Sequence, residues 1–116
     1  MATIKAFTDL EQSKKLAKIL PITSIDFAWN IFSDGSTKLL RMDDWEVSEN
    51  ARSNVEIIPC WSLSALLSVL PNYELNNFGN AIQLSVKNEA LETEGDETLL
   101  DLVVNMIIYL HERKML

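Results

Sequence analysis

The pattern of apolar and polar residues opens with a helix. Apolar side chains recur at helical spacing up to Leu20, and Pro21 ends the pattern because the residue before a proline disfavours helical dihedrals. Thr8 and Glu11 have the spacing of a capping box, in which each side chain binds the backbone N–H of the other. The sequence therefore predicts a first amphipathic helix with Thr8 as its N-cap.

Two later segments also have helical spacing. One follows Ser62, a favourable N-cap residue, repeats leucines at i, i+3, i+4 and i+7, and ends at Pro71. The other follows Asp96 as its predicted cap and runs from 97 to about 113. Its buried side is predicted to hold Leu99, Val103, Met106, Ile107 and Leu110.

Between the helices the apolar period changes to two, which is typical of strands. Residues 25–31 alternate, Asp34 and Gly35 supply a tight turn, and residues 37–42 return as the second strand of a hairpin. Further short strands are predicted at 55–58, ended by Pro59, and at 73–76, 81–87 and 90–94.

These elements predict a single compact domain over residues 1–116, of the α+β class. In it, three amphipathic helices pack on a small, mostly antiparallel sheet in the order α-β-β-(β)-α-β-β-β-α. The first two helices both end in an aliphatic residue, leucine and proline, and strands follow each. This repetition leaves two interpretations open, a duplicated helix–hairpin unit or the ordinary chemistry of helix ends.

The charge balance narrows the range of partners. The chain has 10 basic and 17 acidic residues, a formal net charge of −7, and its cations are scattered. Nucleic acids and anionic membrane surfaces bind clustered Lys and Arg, so neither is expected as a partner. The longest apolar stretch, 99–110, is shorter than the ~20 residues of a membrane span. A single cysteine and the lack of a signal-peptide pattern predict a cytoplasmic protein.

Cys60 and His111 are the one thiol and the one imidazole of the chain, and hence the candidates for catalysis. A cysteine hydrolase needs the two within hydrogen-bond distance. Cys60 precedes a predicted helix, whose dipole favours a thiolate, but it lies in an apolar run between Pro59 and Trp61. The favoured interpretation is a buried cysteine and a histidine suited to a helix C-terminus; a small hydrolase or thiol-dependent enzyme using Cys60 is the alternative.

No other constellation predicts an enzyme. One histidine and one cysteine cannot supply a common zinc site, and the three glycines are isolated, unlike those of a phosphate-binding loop. We therefore expect no metal ion and no cofactor.

An aperiodic stretch, residues 43–54, is the first candidate for a binding surface. It contains an aromatic residue among acids, and long loops and aromatic residues are both typical of interfaces. The residues expected to contact a protein partner with a basic surface are Asp43, Asp44, Trp45 and Glu46. A tryptophan folded back over the sheet is the alternative. The acidic stretch 89–101 is a second candidate, with a solvated strand edge and helix start as its alternative.

Three stretches, 5–21, 58–71 and 106–112, resemble small uncharacterised proteins of gut Bacteroidales genomes and their mobile elements, and together they cover about a third of the chain. The resemblance implies a bacterial cytosolic setting and a prophage or conjugative-element origin. It implies no activity and no site residue. Because the sequence lacks a catalytic constellation and contains a long acidic stretch with Trp45, it favours a non-enzymatic interaction or accessory module.

Overall fold

A computed structural model describes residues 6–41 and 55–116. Within these ranges the chain forms three α-helices and six strands, and a short 3-10 helix, Ile22–Ser24, follows the first α-helix. The α+β class and the predicted order of elements are confirmed. In chain order the elements are α1 (Leu10–Ala17), β1 (Phe27–Phe32), β2 (Thr37–Arg41), β3 (Val55–Cys60), α2 (Leu63–Val69), β4 (Tyr73–Asn77), β5 (Ile82–Val86), β6 (Glu89–Glu92) and α3 (Leu99–Glu112).

The described strands form two three-stranded antiparallel sheets, where the sequence suggested one. The first sheet has the order β2-β1-β3 and the second the order β4-β5-β6. The leading strand is central in the first sheet but lies at the edge of the second. The two helix–strand units therefore differ in topology, and the fold gives no support to a duplicated unit.

The third strand is longer than predicted. Pro59 was expected to end it, but β3 continues through Pro59 to Cys60, and Pro59 pairs with Ala28 of β1. A proline cannot donate to a strand ladder, yet it is tolerated in edge strands. Since β3 lies at the edge of its sheet, the missing N–H costs little there.

The first helix begins one residue later than predicted. Asp9 is its N-cap and accepts a 2.8 Å hydrogen bond from the N–H of Gln12, while the Asp9 N–H donates to the Gln12 side chain at 3.1 Å. Thr8 was the wrong cap because its own N–H donates to the carbonyl of Trp61 at 2.9 Å. The helix also ends earlier than predicted, at Ala17.

Of the N-caps predicted for the other two helices, one is confirmed and one is wrong. Ser62 caps α2 as predicted, and its hydroxyl accepts from the Ala65 N–H at 3.2 Å. Thr98, not Asp96, caps α3, because Thr98 and Asp101 form a reciprocal capping box that fixes the first turn at that point.

One cluster of buried side chains joins all three helices to the second sheet. Leu16 of α1, Leu66 of α2 and Leu84 of β5 meet there against α3. The predicted buried stripe of α3 was too narrow, because α1, α2, β5 and β6 all pack against this helix, and it wrongly included Leu99, which is half-buried. Its buried residues are Leu100, Leu102, Val103, Val104, Met106, Ile107 and Leu110.

Candidate interaction surface

The thiol of Cys60 is enclosed. Cys60 is 0% exposed, its Sγ lies 3.4 Å from the Thr8 hydroxyl oxygen, and it donates to the Thr8 carbonyl at 3.5 Å. Burial raises the pKa of the Cys60 thiol, which favours its neutral, unreactive form. His111 lies exposed in the last turn of α3, and no hydrogen bond joins it to Cys60. The fold does not bring the two sequence-predicted catalytic candidates together as a pair.

The polar groups around Cys60 bind one another. The Thr8 hydroxyl lies 2.7 Å from that of Ser13 and accepts from the Trp61 N–H at 3.1 Å. Beside them, the Asp26 carboxylate accepts from both the N–H and the hydroxyl of Ser62, at 2.9 and 2.5 Å. These bonds join the segments before α1 and before β1 to the junction of β3 and α2. They satisfy the polar groups of the buried Thr8 and Ser13 within the protein.

The predicted partner-binding residues Asp43, Asp44, Trp45 and Glu46 lie outside the described residues. Their role therefore stays a prediction.

The second acidic candidate, 89–101, is described, and several of its carboxylates have structural partners. Glu89 accepts a 2.8 Å hydrogen bond from the Tyr109 hydroxyl, which raises the pKa of Tyr109. Glu97 accepts from the Asn105 side chain at 2.8 Å, and Asp101 belongs to the α3 capping box. This arrangement favours the alternative interpretation, a strand edge and a helix start.

The described residues offer neither a metal cluster nor a membrane-spanning helix. Across 6–41 and 55–116, no group of three or more His, Cys, Asp or Glu side chains is placed to hold a metal ion. None of the helices in those ranges is long and apolar enough to cross a membrane.

Exposed apolar side chains gather at β4. Among the described residues, the large hydrophobic side chains that stay exposed are Tyr73 (42%), Leu75 (39%), Phe78 (58%) and the C-terminal Leu116 (39%). The first three belong to β4 or to the turn that follows it. A soluble protein usually protects an edge strand with charged residues, and β4 has a single charged residue, Glu74.

Hydrogen bonds of the central strand β5 establish which way each backbone group points. The N–H of Ile82 donates to the Thr93 hydroxyl at 3.0 Å, and its carbonyl accepts from the Thr93 N–H at 2.9 Å. Ile82 therefore points towards β6. Because backbone groups alternate in direction along an antiparallel strand, Gln83 and Ser85 point the other way, towards β4.

The same alternation applies to β4. Its Asn76 and Glu74 are opposite Gln83 and Ser85, so these two β4 residues bind β5 through their backbones. The N–H and carbonyl groups of Tyr73, Leu75 and Asn77 then point outward, and no hydrogen bond to them is found within the described residues. We call this set of outward groups and the side chains beside it the β4 edge.

A groove borders the β4 edge on the core side of the sheet. Leu75 lies opposite Leu84 in the register, so its side chain shares the face that packs into the core. An open groove of about 580 Å³ lies between α2 and Tyr73 at the start of β4. It is lined by Leu63, Ser64, Leu67, Ser68 and Tyr73.

Sequence reasoning predicted the strand at 73–76 but missed the surface. The available signal was the alternation of Tyr73 and Leu75 with polar neighbours, followed by Phe78 in a turn. That alternation is equally typical of a strand in the middle of a sheet, since periodicity carries no information on strand order.

No protein-family model, no curated protein and no solved structure matches this chain.

Proposed function

We propose that this chain is a non-enzymatic protein-interaction module that binds an extended segment of another protein at the β4 edge. The observation that supports this most is that two features occur together on one strand. Outward backbone groups that can continue the sheet lie beside side chains that are apolar and exposed, Tyr73 and Leu75. Strand addition uses these two features together, because main-chain hydrogen bonds supply affinity and alternate side chains supply specificity.

The predicted partner-binding residues of the acidic stretch are part of the same proposal. Asp43, Asp44, Trp45 and Glu46 form a second contact, towards a partner with a basic surface. The setting we propose is the bacterial cytosol, with an origin in a prophage or conjugative element, and it rests on the resemblance of three stretches of the sequence.

Capture followed by reconstitution tests this function. Tagged chain is incubated with lysate of a gut Bacteroidales bacterium, and a captured protein is purified and titrated calorimetrically against variants. Leu75→Pro removes an outward N–H and should weaken binding at least about tenfold, the effect of losing a hydrogen bond and an apolar contact together. Glu112→Gln, on the exposed side of α3, is the matched control and should bind like wild type.

Two outcomes of this titration count against the proposal. Equal affinity of Leu75→Pro and wild type removes the β4 edge as the contact. Equal affinity of Trp45→Ala and wild type removes Trp45 as a contact.

The rival function is a small hydrolase or thiol-dependent enzyme that uses Cys60. It requires a reactive thiol, whereas Cys60 is enclosed and its pKa is raised by burial. Iodoacetamide labelling of the native chain separates the two functions. We expect labelling far slower than that of the same chain in concentrated guanidinium, and rapid native labelling at pH 6 would restore the enzyme.

A further inference from the structure

We infer that the segment accepted by the β4 edge alternates apolar and cationic side chains. This inference rests on the proposed function and adds the chemistry of the partner to it. Three features carry it: the two faces of β4, the net charge of residues 61–101, and the lack of cations on β4 itself.

The two faces of β4 select different side chains. Residues directly opposite each other in neighbouring strands share a face. A strand added at the β4 edge therefore places every second side chain next to Tyr73 and Leu75 and the apolar wall formed by Leu63 and Leu67. The side chains between them project from the other face, beside Glu74.

That other face is polar and acidic. Glu74 and Asn76 share it with Gln83 and Glu92, as the registers of the two strand pairs show. Glu74 and Glu92 are exposed, and neither takes part in an ion pair with any residue of the described ranges. A cation opposite Glu74 forms a cross-strand pair of opposite charge, which stabilises neighbouring strands.

Most of the net charge of the chain belongs to the segment that runs from the start of α2 through the second sheet to the first turn of α3. Residues 61–101 include seven acidic side chains and one lysine, a formal charge of −6 out of −7 for the whole chain. The lysine, Lys87, donates through its Nζ to the carbonyl of Met115 at 2.8 Å. An approaching cationic strand is therefore attracted over a distance as well as at contact.

A second copy of the chain that pairs through its own β4 fits this edge less well. β4 has Glu74 and no cation, so two β4 strands offer each other no complementary charge. Two second sheets, each part of a segment with a formal charge of −6, would also approach each other. The partner strand is therefore one that supplies the positive charges that β4 lacks.

Titration of the isotope-labelled full chain with two peptide probes tests the inference by NMR. One probe is an octapeptide of alternating valine and lysine with blocked termini, and its match has glutamate in place of lysine. We expect the lysine probe to shift the amide signals of Tyr73, Leu75 and Asn77 and to bind about tenfold tighter than the glutamate probe. Glu74→Gln should lower the affinity for the lysine probe about two- to fivefold, and Glu112→Gln should leave that affinity unchanged.

The remaining outcomes separate the inference from the function it rests on. If neither probe moves the β4 amides, strand binding itself is wrong. If both probes move them with equal affinity, or the glutamate probe binds tighter, strand binding stands and the charge preference is wrong. If the same signals change with protein concentration alone, a second copy occupies the edge and the inference is overturned.

Discussion

Thr8 connects separate parts of the molecule through one buried hydroxyl. It is 0% exposed, lies 2.7 Å from the hydroxyl of Ser13 and accepts from the backbone N–H of Trp61. Its backbone carbonyl accepts a 2.9 Å hydrogen bond from the indole of Trp29. Losing the hydroxyl leaves the buried groups that hydrogen-bond to it without a partner, and each unsatisfied buried donor costs about 1–3 kcal/mol of stability.

Thr8→Val should therefore lower the free energy of unfolding by about 2–4 kcal/mol, since it leaves the Trp61 N–H and the Ser13 hydroxyl without their partner. Thr8→Ser keeps the hydroxyl and should cost only about 1 kcal/mol, for the lost methyl group. Urea unfolding of the two variants measures the difference. Equal losses would show that the hydroxyl is not what holds this junction.

Thr8 also shows why its role could not be predicted. The local spacing from Thr8 to Glu11 is that of a capping box, and sequence reasoning had only that spacing to use. The group that the Thr8 hydroxyl approaches, Cys60, lies 52 residues away along the chain. Thr8 therefore binds Cys60 at long range instead of forming the short-range capping box that its spacing to Glu11 predicted.

At the scale of elements, the strand β4 itself was predicted, but its position at the edge of a sheet was not. Its alternation predicted the strand at 73–76, close to the observed Tyr73–Asn77. Its place at a sheet edge depends on which strands pair, and each sheet orders its strands differently. Likewise, the width of the buried side of α3 depends on how many elements surround that helix, which its own periodicity does not encode.

A pair of proline variants tests the direction of the β4 backbone groups. Asn76→Pro removes an N–H that binds β5 and should cost about 3 kcal/mol. Leu75→Pro removes an outward N–H and should cost about 1 kcal/mol or less beyond Leu75→Ala, which controls for the lost side chain. Thermal or urea unfolding measures all three variants. Equal costs for the two prolines would contradict the assigned directions.

At the scale of the whole molecule, the two sheets are joined through few elements. The main core cluster draws on the helices and on β5, while the first sheet reaches it through α1, which packs against β3, and through the β3–α2 junction. The sequence predicts one compact domain, and this connection gives the prediction a physical basis because breaking the junction would expose parts of both sheets.

Urea should therefore unfold both sheets together. We expect the amide signals of Ala28 in β1 and Leu84 in β5, both 0% exposed, to disappear with the same midpoint. NMR spectra along a urea series provide the measurement. Loss of the Ala28 signal at a clearly lower urea concentration would mean that the first sheet is an independent unit.

Hydrogen exchange of the free chain, resolved by residue, tests the open edge most directly. An edge with no partner should show alternation along β4: fast exchange at Tyr73, Leu75 and Asn77, whose amides point to solvent, and slow exchange at Glu74 and Asn76, whose amides bind β5. Protection at all five residues would mean that the strand is already covered, and a binding edge would then be the wrong description of this molecule.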